Sequence, residues 1–458
     1  MDLIETLRDI VGAGNVLTGD DVRRRSVSWA DHSPCQALAI VRPANTEQVS
    51  RVLAACHAAG QPVVPMGGLT GLVRGCVAGP HEIGLSLERM HRVESVDPLN
   101  RTITLEAGVP LQVVQQEAEQ HGLLYPVDFG ARGSAHIGAT VATNAGGNGV
   151  IRYGMTRDSV LGLEAVLADG TVISSMNRMI KNNAAYDLKQ MFIGTEGTLG
   201  VVTRVVLRLR EAPRSLQTAM VACNEFGDVT QLLKHMDAAL GGSLSAFEVM
   251  WNEFYRLVTT PPAKGTPPLG QDHRYYVLLE ASGGDAERDQ ARFEEALGEA
   301  IEAGIVADAV VASSEAQRES LWALRDDVES FFRLGMPVTF DISLPVTEME
   351  DYVAEVLARL AREWPAYRRF VFGHLGDGNL HVIAAGPPSR DAKLGIERCV
   401  YEPLAARSGS VSAEHGIGVE KQPWLSLSRG PAELGLMRRL KAALDPKNIL
   451  NPGRVLPG

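Results

Sequence analysis

The apolar residues of this chain recur with two periods, and the changes of period mark out its elements. From about Val41 to Leu72 the pattern runs strand, helix, strand and glycine loop: AIVRP, a helix opening near Asn45 and ending around Gly60, then PVVP leading into MGGLTGL. Val49, Leu53 and Cys56 recur at helical spacing behind Asn45 and Thr46, both suited to capping. Farther on, LEAVLADGTVI at 163–173 carries an Asp169-Gly170 hairpin signal, and IGTEGTLGVVTRVVLRL at 193–209 passes from a Gly/Thr turn into an alternating strand.

From about Leu216 the texture changes. Strands LQTAMVAC, LSAFEVMW, YYVLLEA and AVVA alternate with helical stretches near 226–240, 285–303 and 314–334, and a helix at 348–364 precedes a hairpin, FGHLGDGNLHVIAAG, at 372–386. This order predicts an α+β region with an antiparallel sheet of the ferredoxin-like kind. EAPRS at 211–215 reads as a linker between domains, and TTPPAKGTPPLGQD at 259–272 as a mobile loop.

With 458 residues the chain exceeds one ordinary core, so two or three domains are expected. Its 45% apolar and 22% charged residues are those of a soluble globular protein. A net charge of −11 with no basic block argues against a nucleic-acid partner and provides no polybasic membrane anchor. MDLIETLRDIVGAGN mixes charges into a short amphipathic helix, unlike a signal or transit peptide, and no run of about 20 apolar residues exists to span a bilayer. A cytoplasmic enzyme is expected. The five cysteines, Cys35, Cys56, Cys76, Cys223 and Cys399, form no C-x-x-C pair, so any bound metal must take His and carboxylate ligands.

Gly67, Gly68 and Gly71 leave backbone N–H groups able to approach a phosphate, and Thr70 adds a hydroxyl donor. The loop fits neither G-x-x-x-x-G-K-[ST] nor G-x-G-x-x-G, which counts against a nucleotide triphosphatase and an ordinary dinucleotide fold. A second tract, PVDFGARGSAHIGATVATNAGGNGVIRYG at 126–154, concentrates Gly133, Ser134, Gly138, Thr143, Asn144, Gly146 and Gly147. It buries little apolar surface of its own, and a large flat ligand is a natural source of its order.

In the 372–386 hairpin, a loop at Gly376–Asn379 makes Leu375 face Leu380 and sets His374 opposite His381, with Cβ atoms about 5 Å apart. Two readings are open: a hydrogen-bonded pair of turn histidines, or two ligands of one metal ion. SAEHGIG at 412–418 adds Glu414 and His415, which point in opposite directions along an extended chain. Singly they read as a solvated carboxylate and a loop histidine. Together with the hairpin they make a His, His and Glu set that leaves a coordination position open, with His415 remaining as a base.

PMGGLTGL, SAHIGATVATNAGG, LKQMFIGTEGTLGVVT and the terminal DPKNILNPGRVL together resemble the FAD-binding domain of the vanillyl-alcohol-oxidase type, and the similarity covers nearly the whole chain. The resemblance implies an α+β fold in which a two-part FAD-binding (PCMH-type) domain, 1–215, is joined to an α+β cap, 216–425, that carries substrate and metal, with 426–458 returning to the flavin. It implies that the first loop holds the pyrophosphate through Pro65, Gly67, Gly68, Thr70, Gly71 and Leu72. The second tract, with Pro126, Ser134, Gly138, Thr143, Asn144 and Gly147, then wraps the rest of the FAD, joined by Val202 and Asn451. Some family members attach flavin through a histidine of the first loop; this loop has none, so non-covalent FAD is expected.

The hairpin and SAEHGIG resemble the D-2-hydroxy-acid dehydrogenase branch, which includes D-lactate and D-2-hydroxyglutarate dehydrogenases. That resemblance implies Zn²⁺, or Mn²⁺ or Fe²⁺, on His374, His381 and Glu414, His415 as proton acceptor, and Arg325 of SLWALRDDVESFF on the substrate carboxylate. Hydroxyglutarate-type members carry a lysine at Thr339, a hydroxyl at Glu329 and a polar amide at Ile383. These departures point to a monocarboxylic D-2-hydroxy acid, lactate or one with a longer apolar tail, by like-charge repulsion and desolvation of a second carboxylate. FDISLPV nevertheless looks more like the hydroxyglutarate enzymes. Quinone, cytochrome and electron-transferring flavoprotein are the candidate electron acceptors, and a homodimer is the commonest assembly. A hydrolytic metalloenzyme leaves the glycine tracts unexplained; the flavin subunit of a glycolate-oxidase-like complex is the other alternative.

Overall fold

The computed structural model describes residues 2–29, 31–387 and 389–457, which fall into two compact units. One comprises Met1–Gly147, Gly154–Ala212 and Glu414–Gly458, the other Asn148–Tyr153 and Pro213–Ala413. This division differs from the sequence-based boundaries: Asn148–Tyr153 belongs to the second unit, the first unit's long segment ends at Ala212 rather than at 215, and it resumes at Glu414 rather than at 426.

Two larger sheets and a two-stranded one are described in the first unit. β1 (Val16–Thr18), β2 (Ala39–Val41), β3 (Val63–Met66) and β4 (Ile83–Ser86) lie in the order β1-β2-β4-β3, with β2, β4 and β3 parallel. Ala39, Ile40 and Val41 are all buried, as expected of a parallel strand covered on both faces. The helix Thr46–Ala59 starts where the Asn45 side chain accepts the Gln48 N–H and stops at left-handed Gly60; it buries Val49, Val52, Leu53 and Cys56. β5 (Val93–Asp97), β6 (Thr102–Glu106), β8 (Val160–Val166), β9 (Val172–Ser175) and β10 (Val201–Arg208) form an antiparallel sheet ordered β5-β6-β10-β8-β9. Between these elements β7 (Leu123–Leu124) pairs with β11 (Arg210–Glu211). The Asp169-Gly170 turn joins β8 to β9 with Gly170 at φ 91°. The C-terminal segment returns to β3: Val63 N–H donates to Ile449 O, and Asn451 N–H to Val63 O.

The second unit is built on a seven-stranded antiparallel sheet. Its strands are β12 (Ser215–Cys223), β13 (Leu244–Trp251), β14 (Tyr275–Gly283), β15 (Asp308–Val311), β16 (Met336–Ser343), β17 (Arg368–His374) and β18 (Asn379–Gly386), ordered β15-β12-β14-β13-β17-β18-β16. The first four follow the ferredoxin-like order, with helices Phe226–Leu240 and Ala286–Glu302 after the first and third strands; three later strands extend the sheet. Side chains alternate across a strand, so register fixes which residues share a face. Pairings Glu248↔Leu278, Glu248↔His374, Phe372↔His381, Asp341↔His381 and Thr339↔Ile383 put Glu248, His374, Phe372, His381, Ile383, Asp341 and Thr339 on one face. Phe254, Leu324 and Phe331 cover it. Among the described residues no helix is long and apolar enough to cross a membrane.

Candidate functional site

In the first unit two cavities meet at the glycine loop. One, of about 340 Å³, is lined by Arg25, Glu88, Ser134 and His136, among others; the second, of about 150 Å³, has Pro65, Thr70, Gly71, Gly138, Thr143, Val202, His415 and Asn451 in its wall. Met66, Gly67, Gly68, Leu69 and Cys76 line both. Among the described residues, buried His136 Nδ1 and Asn451 Oδ1 have no hydrogen-bond partner, and one stands in each wall. An orphaned buried polar atom costs about 1–3 kcal/mol, which a polar ligand relieves. Burial also holds the His136 imidazole below its usual range. Beside it, the Arg25 guanidinium, hydrogen-bonded at 2.7 and 2.8 Å, keeps the Glu88 carboxyl at about 2.

The loop's glycines have a reason the sequence did not disclose. A Cβ on Gly68 would stand 1.7 Å from Ser134 O, and one on Gly67 2.6 Å from the Ala139 Cβ. The first glycine loop and the second glycine tract therefore touch backbone to backbone, and each shapes the other. Four expected cofactor contacts lie outside the walls of both cavities. Leu72 is 44% exposed and Pro126 is buried. Asn144 is the left-handed cap of helix Ile137–Thr143, accepting the Arg157 N–H, and Gly147 at φ 92° lies against the Asp128 backbone.

Glu196 organises the His415 side of the second cavity. Its carboxylate accepts the N–H groups of Ile417 at 2.7 Å and Gly418 at 2.9 Å, while its carbonyl accepts the Asn451 side-chain amide at 2.7 Å. Burial pushes this carboxyl above its ordinary value, and the two N–H donors oppose the rise. Gly416, at φ 82°, gives the loop its bend.

The hairpin of the second unit departs from the expected register. A 3₁₀ turn, Leu375–Asp377, closed by left-handed Gly378, takes up the residues after His374, so His381 pairs with Phe372 rather than with His374. The imidazoles are still neighbours, 5.4 Å apart at 76° between planes. His374 is buried and His381 half-buried.

Arg325 is only 6% exposed and does not stand as a bare cation. Its Nε donates to Glu248 Oε2 at 2.8 Å, Nη1 to Asp326 at 3.3 Å, and Nη2 lies 3.0 Å from His374 Nε2. Glu248 Oε1 sits 2.8 Å from His374 Nδ1. Burial alone would raise the Glu248 carboxyl, but its partners His374 and Arg325, both hydrogen-bonded to it, outweigh burial and hold it below the ordinary carboxylate range. The helix that carries Arg325, Glu315–Arg325, is pinned to the sheet a second time where Arg318 and Trp322 donate to Glu280 at 2.6 and 3.1 Å.

Asp341, fully buried, accepts the N–H of Ala413 at 2.7 Å and the Ser412 hydroxyl at 3.3 Å. Glu414 follows Ala413 and opens the closing segment of the first unit, where its carboxylate takes the Gly147 N–H at 3.4 Å. Thr339 is exposed; Ile383 is packed with Phe331, Phe370 and Phe372; Glu329 is an exposed residue of the 3₁₀ segment Val328–Leu334. Sequence reasoning missed Glu248 and Glu196. The signal for Glu248 was available, because it is the only charge in LSAFEVMW, and a carboxylate in a buried strand demands a partner.

Residues 212–455 match the family described as FAD linked oxidases, C-terminal domain, and residues 37–175 match the FAD binding domain. Mitochondrial D-2-hydroxyglutarate dehydrogenase of Bos taurus is 40% identical over 448 residues, covering 97% of this chain and 81% of the relative. D-2-hydroxyglutarate dehydrogenase of Stutzerimonas stutzeri (strain A1501) is 36% identical over 466 residues, covering 99% and 98%. Among solved structures, p-cresol methylhydroxylase with substrate bound superposes at a TM-score of 0.76 with 16% identity, over 99% of this chain and 96% of that one. Alkyldihydroxyacetonephosphate synthase gives 0.75 with 15% identity, over 98% and 85%.

Proposed function

Because the chain belongs to the FAD-linked oxidases of the vanillyl-alcohol-oxidase type, we propose that it oxidises a D-2-hydroxy acid to the 2-oxo acid, with His415 taking the hydroxyl proton. The observation that carries this reading is the position of His415 in the wall of a cavity that joins a second one at the glycine loop. A dinucleotide with two bulky ends and a central pyrophosphate suits two such cavities, and the orphaned His136 Nδ1 and Asn451 Oδ1 suit a polar guest. FAD, when bound, supplies the acceptor for the two electrons and the hydrogen of the substrate's Cα. Pro65, Gly67, Gly68, Thr70, Gly71, Ser134, Gly138, Thr143, Val202 and Asn451 are the residues we assign to holding it.

His374, His381 and Glu414 are our candidates for holding a divalent cation. Neighbouring imidazoles, one with a fixed donor face, make a fitting set for zinc, manganese or ferrous iron. Such an ion, when bound, supplies Lewis acidity toward the substrate hydroxyl. Arg325 is assigned to the substrate carboxylate, held in place by Glu248.

The substrate tail has two readings. Exposed Thr339 opposite Ile383, itself among phenylalanines, supports a lactate-like or longer monocarboxylate. The names of the relatives support D-2-hydroxyglutarate. Anaerobic bleaching of the flavin band by D- and L-lactate, D-2-hydroxyisocaproate and D- and L-2-hydroxyglutarate, before and after chelation, tests all of this. Bleaching by D-acids alone is the expected result, and a flavin that no hydroxy acid bleaches overturns the assignment.

A further inference from the structure

We infer that Glu248 is the positioning residue of the second unit's histidine cluster, fixing with one carboxylate both the donor face of His374 and the orientation of Arg325. The inference rests on the metal reading above. A carboxylate can only accept, so the 2.8 Å contact with Glu248 Oε1 puts the proton on His374 Nδ1. A guanidinium can only donate, so of the two ring nitrogens near Arg325 Nη2, Nε2 at 3.0 Å and Nδ1 at 3.3 Å, only Nε2 offers it a lone pair, and a cation on Nε2 would take that lone pair in place of Arg325. The ring is thereby held in the tautomer whose Nε2 can serve a cation.

The second carboxylate oxygen takes Arg325 Nε at 2.8 Å, and Arg325 stacks over Phe372 with its central carbon 5.3 Å from the ring centre. Phe372 in turn stacks on Phe254 at 4.4 Å. Glu248 itself is 1% exposed, and its strand pairs directly with that of His374. Ion ligand and substrate arginine thus share one rigid origin. A 1 Å shift of this carboxylate disturbs both, whereas a salt bridge serving only the fold would disturb neither ligand affinity selectively.

The test compares wild type, Glu248→Asp and Glu248→Leu as flavin-loaded proteins, measuring zinc affinity by competition with a chromophoric chelator, FAD content and thermal midpoint. Glu248→Asp keeps the charge beside Arg325 and withdraws the carboxylate by one methylene, so folding is expected to survive. Zinc should bind both variants about 10–100-fold more weakly than wild type, with FAD retained. The double variant Glu248→Leu/Arg325→Met removes both charges and leaves no acceptor for His374 Nδ1, so a recovered thermal midpoint with zinc still weak supports positioning. Zinc affinity within twofold of wild type in Glu248→Asp and the double variant overturns the inference. A wild-type protein that takes up no zinc sinks the metal reading and this inference together, while FAD-dependent bleaching by D-acids would still stand.

Discussion

Gly68 offers the sharpest separation of packing from ligand binding. An alanine there places its Cβ 1.7 Å from Ser134 O, 2.7 Å from Ser134 C and 3.1 Å from Ala135 Cα. All three are backbone atoms, so no side-chain rotation relieves the clash. A tolerable carbon–oxygen contact lies near 3.2 Å, so the loop and the tract must part by about 1.5 Å, a typical overpacking cost being about 1–3 kcal/mol. For a unit of this size each kcal/mol lowers Tm by about 2–4 °C. Because Gly68 lines both cavities, the same displacement is expected to weaken FAD binding by about 10-fold, the loss of one hydrogen bond. Gly71 is the control: it lines the second cavity, yet its Cβ would meet nothing within 4 Å. Gly71→Ala should leave the apoprotein's Tm unchanged, and any loss of FAD affinity would then report ligand approach alone. Differential scanning fluorimetry of apoprotein and FAD titration by fluorescence quenching read the two effects separately. Gly68→Ala with wild-type Tm and FAD affinity within threefold refutes the argument that the two glycine segments shape each other.

Three further outcomes follow from named groups. His415→Ala is expected to keep the flavin spectrum and lose about 10²–10⁴-fold in the rate of anaerobic flavin reduction by a D-acid, measured by stopped flow; an unchanged rate removes His415 as the base. Glu88 has a folded carboxyl near 2, below its usual value of about 4.3, so its contribution to stability is present above that usual value and lost as pH falls toward 2. Arg25→Gln, which removes the largest cause, should flatten the stability profile of acid unfolding between pH 4.5 and 2, followed by circular dichroism, and an unaltered profile would contradict the pairing. Thr339→Lys adds a cation at an exposed position facing Ile383, and should raise the kcat/KM ratio of D-2-hydroxyglutarate to D-lactate by at least about 10-fold, as one added charge pair near a surface can supply.

Local rules, which act over a few residues, made much of this protein legible in advance. Asn45 and Gly60 bracket their helix, Asp169-Gly170 turns its hairpin, and the strands of the second half alternate or run apolar where the sheet buries them. The glycine tracts, SAEHGIG and the histidine hairpin announced themselves by residue type and spacing. What the tertiary structure decided were pairings between distant segments. It placed His381 across from Phe372, because a 3₁₀ turn consumed the residues a tight hairpin would have paired. It also bound Arg325 to Glu248, 77 residues apart, and Glu196 to the backbone of Ile417 and Gly418, over 221 and 222 residues. A buried charge states in the sequence that it must have a partner, but which partner depends on strand order and helix placement, and these are set only when the whole chain packs.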